Sequence, residues 1–349
     1  MRDYDRSALR KTHQKELGML FDAFGKHISH EVRNDVNTQL VDKHIRHMYE
    51  EHIRAHTDDF SLKLLQPCYK PNHVINHYFD QIYVLNLDCR PDRMDHMREQ
   101  LHRLGIYNYC RFPALYGKEE PHISEWQKYM KVPMSKLERT KYQRKGIASA
   151  GSWAILKSMY LMIRDAQANN HQRFLVLQDD LLFHKDFHKQ FETLIKQDGL
   201  LTREGGGAAH PQWKLLYIGA TQHAWPHTTF NRSHLYYHPN GTADGAFGVA
   251  IDKSVYQELI NEILEFDLPV DSGALKAIQK RYPKECIVAF PNLVIADIRD
   301  SDLRGYRDLE TFSKKFRWDL ENYHIVDALA PAPDKMRALR TERTLSTEW

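Results

Sequence analysis

The residues best suited to chemistry lie in one short run, Phe174-Leu-Val-Leu-Gln-Asp-Asp-Leu-Leu-Phe183. Two adjacent carboxylates, Asp179 and Asp180, end one apolar stretch and precede another. Neighbouring carboxylates repel and lose hydration when buried, so something must offset their charge. A divalent cation does this: Mg²⁺ and Mn²⁺ take oxygen ligands, commonly one or two carboxylates together with phosphate oxygens. The plainer alternative is a solvated turn or helix cap, and the apolar residues on both sides count against it. A second run is Asn86-Leu-Asp-Cys-Arg-Pro-Asp-Arg93. Asn86 and Asp88 have the groups to hydrogen-bond a base or ribose. Arg90 and Arg93 offer forked donors to phosphate, and a helix start adds a partial positive charge. Pro91-Asp92 is also an ordinary way to begin a helix. Gly219 and Gly245 stand at the ends of apolar runs, where backbone can approach a ligand or simply turn tightly. Asp271, in Leu268-Pro-Val-Asp-Ser272, is either a helix N-cap or a carboxylate aimed into a cleft as a general base. Asp297-Ile-Arg-Asp-Ser-Asp302 offers a further metal or phosphate contact, or a charged surface turn.

These residues need a scaffold, and the pattern from residue 79 onward supplies one. Ile82 to Leu87 reads as a buried strand. Asp92 to Leu104 reads as a helix with Met94, Met97, Leu101 and Leu104 on one face and Gly105 as its stop. A second helix is expected from about Ile147 to Ala168. Strands are expected at Phe174 to Leu177, Trp213 to Ile218 and Ala246 to Ile251, then a helix from Ser254 to Leu264. Short strands follow at Ile287 to Phe290 and Leu293 to Ala296. Alternating strands and helices predict an α/β sheet with mainly parallel strands, and ligands then belong at the strands' carboxyl ends. The polar stretch 119–144 is either a loop over the site or a helical insert.

The first 65 residues differ. Apolar positions from Leu9 to Ile28 and from Val32 to Ile53 follow helical spacing, which predicts two amphipathic helices that either form an oligomerisation surface or pack on the core. His44 and His47, and His52 and His56, share helix faces, yet no partner ligands accompany them and the chain holds 21 histidines, so a solvated face is the simpler reading. The chain thus divides into a helical extension and linker at 1–75, an α/β domain at 76–310 and a tail at 311–349.

Composition narrows the function classes. Hydrophobic residues make up 42% and charged residues 27% of 349, which is globular and excludes a disordered or multi-span membrane chain. The net charge of +3, without basic blocks, gives no support to nucleic-acid binding. No apolar run approaches a membrane span, and the polar N-terminus is not a signal peptide, so a cytoplasmic protein is expected and the glycosylation patterns at Asn231 and Asn240 are read as chance.

The order of the motifs resembles glycosyltransferase family 25, which includes bacterial lipooligosaccharide galactosyltransferases and collagen hydroxylysine galactosyltransferases. The resemblance is carried by Tyr83 to Arg93, Phe112 to Gly117, Gly146 to Ala154, Leu175 to Phe183, Trp213 to Gly219, Gly245 to Leu259 and Pro269 to Asp271. It spans about residues 80 to 305. It implies a GT-A-like (Rossmann-like) fold, a UDP-sugar donor carrying galactose or glucose, and Mn²⁺ or Mg²⁺ held by Asp180 with Asp179 beside it. Asn86, Asp88, Arg90, Arg93, Gln178, Asp179, Gly219 and Gly245 would then line the donor. An inverting reaction needs a base at the acceptor hydroxyl, and Asp271 is the candidate. The acceptor, a glycan, a lipooligosaccharide or a protein hydroxyl, has no readable code here. Two departures bear on this. Gln178 stands where the family usually has Glu, removing a charge worth about 4 kcal/mol at about 4 Å and an effective dielectric near 20. Ser152-Trp153 stands where a Ser-His pair is common. Both keep open a non-catalytic binding or scaffold protein of the same fold. A phosphate-ester hydrolase using the Asp pair would need a second carboxylate cluster, which the sequence does not point out.

Overall fold

The computed structural model describes residues 73–131, 146–197, 213–231, 234–265, 268–302 and 305–325. The expected N-terminal helices, the four histidines on them, residues 132–144 of the polar stretch and the tail beyond 325 lie outside these.

The apolar runs become the sheet. Strands β1 (Gln81–Leu87), β2 (Tyr109–Ala114), β3 (Arg173–Gln178), β5 (Leu215–Gln222), β8 (Ala243–Asp252) and β9 (Cys286–Ala289) form its body. The short strands β6 (Thr229–Phe230) and β7 (Tyr236–His238) form one edge. The spatial order is β2-β1-β3-β8-β5-β9-β7-β6. Six of the eight strands point the same way; β8 runs against both β3 and β5, and β7 runs against β9. This is the expected mainly parallel, GT-A-like sheet, with the reversed β8 set into its centre. A separate two-stranded ribbon pairs β4 (Leu181–Phe183) with β10 (Val294–Ala296).

Helices cover both faces, which is why the strands are apolar on both sides. On one face lie α1 (Ile75–Tyr78), α2 (Pro91–Arg103) and α5 (Phe187–Gln197), with Met94, Met97 and Leu101 of α2 in the core. On the other lie α4 (Ala150–Ala168), α6 (Tyr256–Leu264) and α7 (Lys276–Arg281). Helix α4 begins at Ala150 rather than Ile147 because Ser149 caps it, its Oγ accepting from Ser152 N at 3.1 Å.

Two segments resolve differently from the simplest sequence expectation. Within the polar stretch, His122–Lys131 forms a helix, α3, that buries His122, Glu125 and Tyr129 and packs on α4, so this part is a helical insert. Past residue 308, Leu309–Phe316 forms α8, capped by Asp308 Oδ2 accepting from Thr311 N at 2.8 Å. Leu309, Phe316, Trp318 and Tyr323 join the core, and Tyr323 Oη donates to the Asn292 carbonyl at 2.6 Å. The folded domain therefore continues at least to residue 325. The eight-residue apolar pattern of α8 is too short to stand out without the surface it packs on. Among the described residues no helix is long and apolar enough to cross a membrane.

Candidate active site

The parallel strands bring their carboxyl ends to one edge, together with the start of the reversed β8. Gly248 of β8 lies opposite both Leu177 of β3 and Gly219 of β5. The ends of β3 and β5 are thus two strand spacings apart, about 10 Å. All the residues singled out for chemistry, apart from Asp271, are on these strands or in the segments that follow them.

The register of β1 against β3 sets Leu85 beside Gln178, and hence Asn86 beside Asp179. Asn86 Nδ2 donates to Asp179 Oδ2 at 2.6 Å and to the Arg90 carbonyl at 2.8 Å, while its Oδ1 accepts from Arg111 Nε at 2.7 Å. Asn86 is 1% exposed, so its amide organises the loop and the carboxylate from within instead of reaching a base or ribose. Asp179 is 6% exposed and pairs with Arg93 at 3.3 Å. Burial raises its pKa, against the pull of Arg93 and Asn86. Asp180 is half-buried, but its Oδ1 is shut off from solvent and receives no hydrogen bond among the described residues. Burial pushes the Asp180 pKa up to about 7; Arg93 opposes the rise, and Asp179 and Asp297 add to it.

Arg90 and Arg93 do not stand free for phosphate, as the sequence suggested. Arg90 pairs with Asp92 at 2.8 Å, Asp300 at 2.5 Å and Asp302 at 2.9 Å. Arg93 reaches Asp302 at 3.1 Å and also donates to the Asp300 carbonyl. Asp88, exposed at the end of β1, pairs with Arg111. Asp300 and Asp302 come from the short turn after β10, which the sequence left between a ligand role and a surface turn; they are the second acidic element of the site. Asp297, by contrast, is buried, caps that turn and pairs with Arg299 at 2.6 Å. Gln178 sits half-buried at the end of β3.

A second group lies on the other side of β8. Asp271 opens a π-helical turn, Asp271–Leu275, and does not cap it by the usual side-chain bond. Its Oδ1 accepts from Ser272 N at 2.8 Å and its Oδ2 from Gly245 N at 3.3 Å. Gly245 has φ +97°, and a Cβ there would meet the Phe247 ring at 2.6 Å, so the glycine shapes the backbone that holds Asp271. Gly219 also answers to packing: a Cβ there would lie 2.4 Å from the Val294 carbonyl oxygen and 2.7 Å from Phe247. The space on its Cβ side is filled by protein, which lets β10 close against β5. The sequence reading missed Asp244, which pairs with Lys276 at 2.5 Å and lies 3.4 Å from His223. These three are 21 to 53 positions apart in the sequence and leave no local pattern.

No group of three or more His, Cys, Asp or Glu residues is set as a metal cage among the described residues. The edge nevertheless suits a divalent ion that completes its shell with phosphate oxygens. Hard oxygen donors are present, Asp180 Oδ1 lacks a donor, and Asp88, Asp92, Asp179, Asp180, Asp300 and Asp302 outnumber Arg90, Arg93 and Arg111. Asp180 is the freest ligand; Asp179 is already engaged on both oxygens. Trp153, where the related pattern has His, is 1% exposed and donates from Nε1 to Glu125 Oε2 at 3.3 Å. It is part of the α3–α4 contact.

Comparison with known proteins agrees with the motif order. The sequence model of glycosyltransferase family 25 (LPS biosynthesis protein) matches residues 79–273. Over 143 residues, 40% of this chain, the sequence is 26% identical to procollagen galactosyltransferase 1-B of Xenopus laevis and 27% identical to procollagen galactosyltransferase 1-A of the same organism. The match spans 21% of the length of each relative. A crystal structure of a glycosyltransferase involved in the glycosylation of the major capsid of PBCV-1 superposes with a TM-score of 0.30 at 12% identity, covering 63% of this chain and 94% of that one.

Proposed function

The chain belongs to glycosyltransferase family 25, and from that premise we propose that it moves a hexose, galactose or glucose, from a UDP-sugar to a hydroxyl of a glycan, a lipooligosaccharide or a protein, inverting the anomeric carbon. The observation that carries this reading is Asp180. Among the described residues, this carboxylate oxygen is held out of water without a donor, beside the buried carboxylate of Asp179, at the carboxyl end of a central strand. Such a pair is costly unless a bound cation and an anionic ligand complete it.

Mn²⁺ or Mg²⁺, held by Asp180 with Asp179 beside it, would supply charge stabilisation for the departing diphosphate. The protein's own residues prepare the edge. Asn86 and Arg93 clamp Asp179, so the carboxylate pair is oriented before a donor arrives. Asp300 and Asp302 hold Arg90 and Arg93 in place, so a diphosphate entering the edge can draw on guanidinium donors already positioned there. Asp88 at the rim and Gln178 at the end of β3 would meet the nucleoside part of the donor. Asp271, fixed by two backbone N–H groups, is the carboxylate assigned to the acceptor hydroxyl as its general base.

The test is UDP release from each UDP-hexose in the presence of Mn²⁺, with and without EDTA. Release from one UDP-hexose, abolished by EDTA and restored by Mn²⁺, is expected. Failure to bind or turn over any nucleotide sugar refutes the reading. Gln178 and Trp153 favour one rival, a non-catalytic protein that binds a nucleotide on the same edge. It would bind UDP without metal dependence and without turnover.

A further inference from the structure

Asp271, the proposed base for the acceptor hydroxyl, is held by the start of β8, and the same short piece of β8 meets a group with no role so far. His223 is the first residue after β5, at the same edge of the sheet, with its side chain 44% exposed. Its Nε2 lies 3.4 Å from Asp244 Oδ2. Lys276 Nζ pairs with the other oxygen of Asp244 at 2.5 Å. The Phe316 ring meets the imidazole edge-on, with centroids 5.1 Å apart, and restrains its rotation. Asp244 and Gly245 are consecutive in β8. The first holds His223 and the N–H of the second holds Asp271. One backbone unit therefore carries both groups.

We propose that His223 is a catalytic residue of this transferase, the final receiver of the acceptor proton, and that Asp244, braced by Lys276, is its positioning residue. The proposal rests on the transferase reading. The neutral imidazole carries a lone pair on one of its ring nitrogens. As the acceptor oxygen bonds to the anomeric carbon, the anomeric C–O bond to the diphosphate breaks and its electron pair leaves with the diphosphate. The hydroxyl proton passes to a carboxylate oxygen of Asp271 and on to the lone-pair nitrogen of His223, and the exposed imidazolium gives it to water. A carboxylic acid, with an ordinary pKa near 4, is a poor resting place for a proton at neutral pH; an imidazole, near 6.5, is a better one. Burial lowers the His223 pKa, so the ring is neutral and ready at physiological pH. The charged groups that face it are Asp244 from β8, Asp271 from the π-helical turn, Lys276 from α7 and Lys315 from α8. The two carboxylates favour the protonated ring and the two lysines oppose it.

The experiment follows hydrolysis of UDP-galactose and UDP-glucose with Mn²⁺, water serving as the acceptor, across pH 5 to 8. Binding of UDP with Mn²⁺ is measured alongside by calorimetry. His223→Ala is expected to keep the UDP affinity and the wild-type Tm, to lower kcat about 10- to 100-fold, and to lose the acid limb of the kcat profile. Added imidazole should restore part of the rate. Asp244→Asn should move the acid limb to lower pH with a smaller loss. An unchanged acid limb in His223→Ala, or a lost rate that imidazole does not restore, overturns the proposal while the transferase reading stands. A wild-type protein that binds no UDP overturns both, and one that binds UDP without turning it over overturns this one and favours the binding-protein rival.

Discussion

At the α3–α4 contact, Lys157 and Glu125 are each 2% exposed and meet at 2.6 Å, with His122 and Trp153 drawn to the same carboxylate. At the carboxyl edge of the sheet, Asp179 and Asp180 share the charge of Arg93, and Arg93 is shared again with Asp302. Both regions contain a carboxylate oxygen that receives no hydrogen bond among the described residues, Glu125 Oε1 in one and Asp180 Oδ1 in the other. The responses differ in sign. Burial works against the Glu125 charge, yet His122 and Lys157 hold its pKa below the ordinary carboxylate range. Burial, with Asp179 and Asp297 adding to it against the pull of Arg93, lifts the Asp180 pKa to about 7. An orphaned oxygen is therefore not by itself the mark of a ligand site. What distinguishes the sheet edge is the surplus of negative charge that the protein leaves uncompensated, on a surface a ligand can reach. The α3–α4 pair has its cation built in, and its work is to fasten the helical insert to the core.

That contrast can be broken most forcefully at Lys157. Lys157→Ala strands Glu125 as a buried anion and is expected to cost about 3–5 kcal/mol. At roughly 2–4 °C per kcal/mol for a domain of this size, Tm should fall by about 10 °C. Lys157→Met combined with Glu125→Leu should recover most of that loss, since it removes both charges. A Lys157→Ala protein as stable as wild type would erase the distinction between the regions. At the edge the expectation inverts. Asp180→Ala should lower kcat about 10²- to 10³-fold and leave Tm unchanged or higher, measured by calorimetry beside the UDP-release assay. Survival of full activity would remove the edge from the mechanism.

The pH dependence sharpens the same point. Asp180 binds its proton more tightly in the folded chain than in the unfolded one, so stability from this group is present at low pH and is lost as pH rises from about 4 through about 7. Asp180→Asn lacks that loss. Its stability advantage over wild type, without metal, should grow across that window by on the order of 1–3 kcal/mol and then level off. Added Mn²⁺ should stabilise the wild type more than the variant and narrow the gap. A gap independent of pH would show that Asp180 titrates normally. The smallest effect belongs to an ion cluster on the solvated surface. Arg281 pairs with Glu258 at 2.5 Å and Glu262 at 2.7 Å on the surface, and Arg281→Ala should cost no more than about 1 kcal/mol.

Much of the scaffold was legible because burial imposes period and composition on each element. Strands closed on both faces must be continuous apolar runs, as Ile82 to Leu87 and Phe174 to Leu177 are, and a helix on a sheet must repeat apolar residues every three or four positions, as α2 does. The carboxylate pair after β3 was legible for the same reason: charge enclosed by apolar sequence is conspicuous. The sequence by itself thus determined an α/β sheet with Asp179 and Asp180 at the end of one of its strands. It did not determine what surrounds them. Asn86 and Arg93 have side chains that suit a nucleotide, and only the register of β1 on β3 and the turn after β10 turned them inward to Asp179, Asp300 and Asp302. Gly219 reads as a place for a ligand until β10 is seen occupying it. His223, Asp244 and Lys276 meet because the reversed β8 starts beside the end of β5 and close to α7. Such pairings join residues far apart in the chain through single contacts of charge or shape. They impose no spacing on the sequence, so tertiary structure alone decides them.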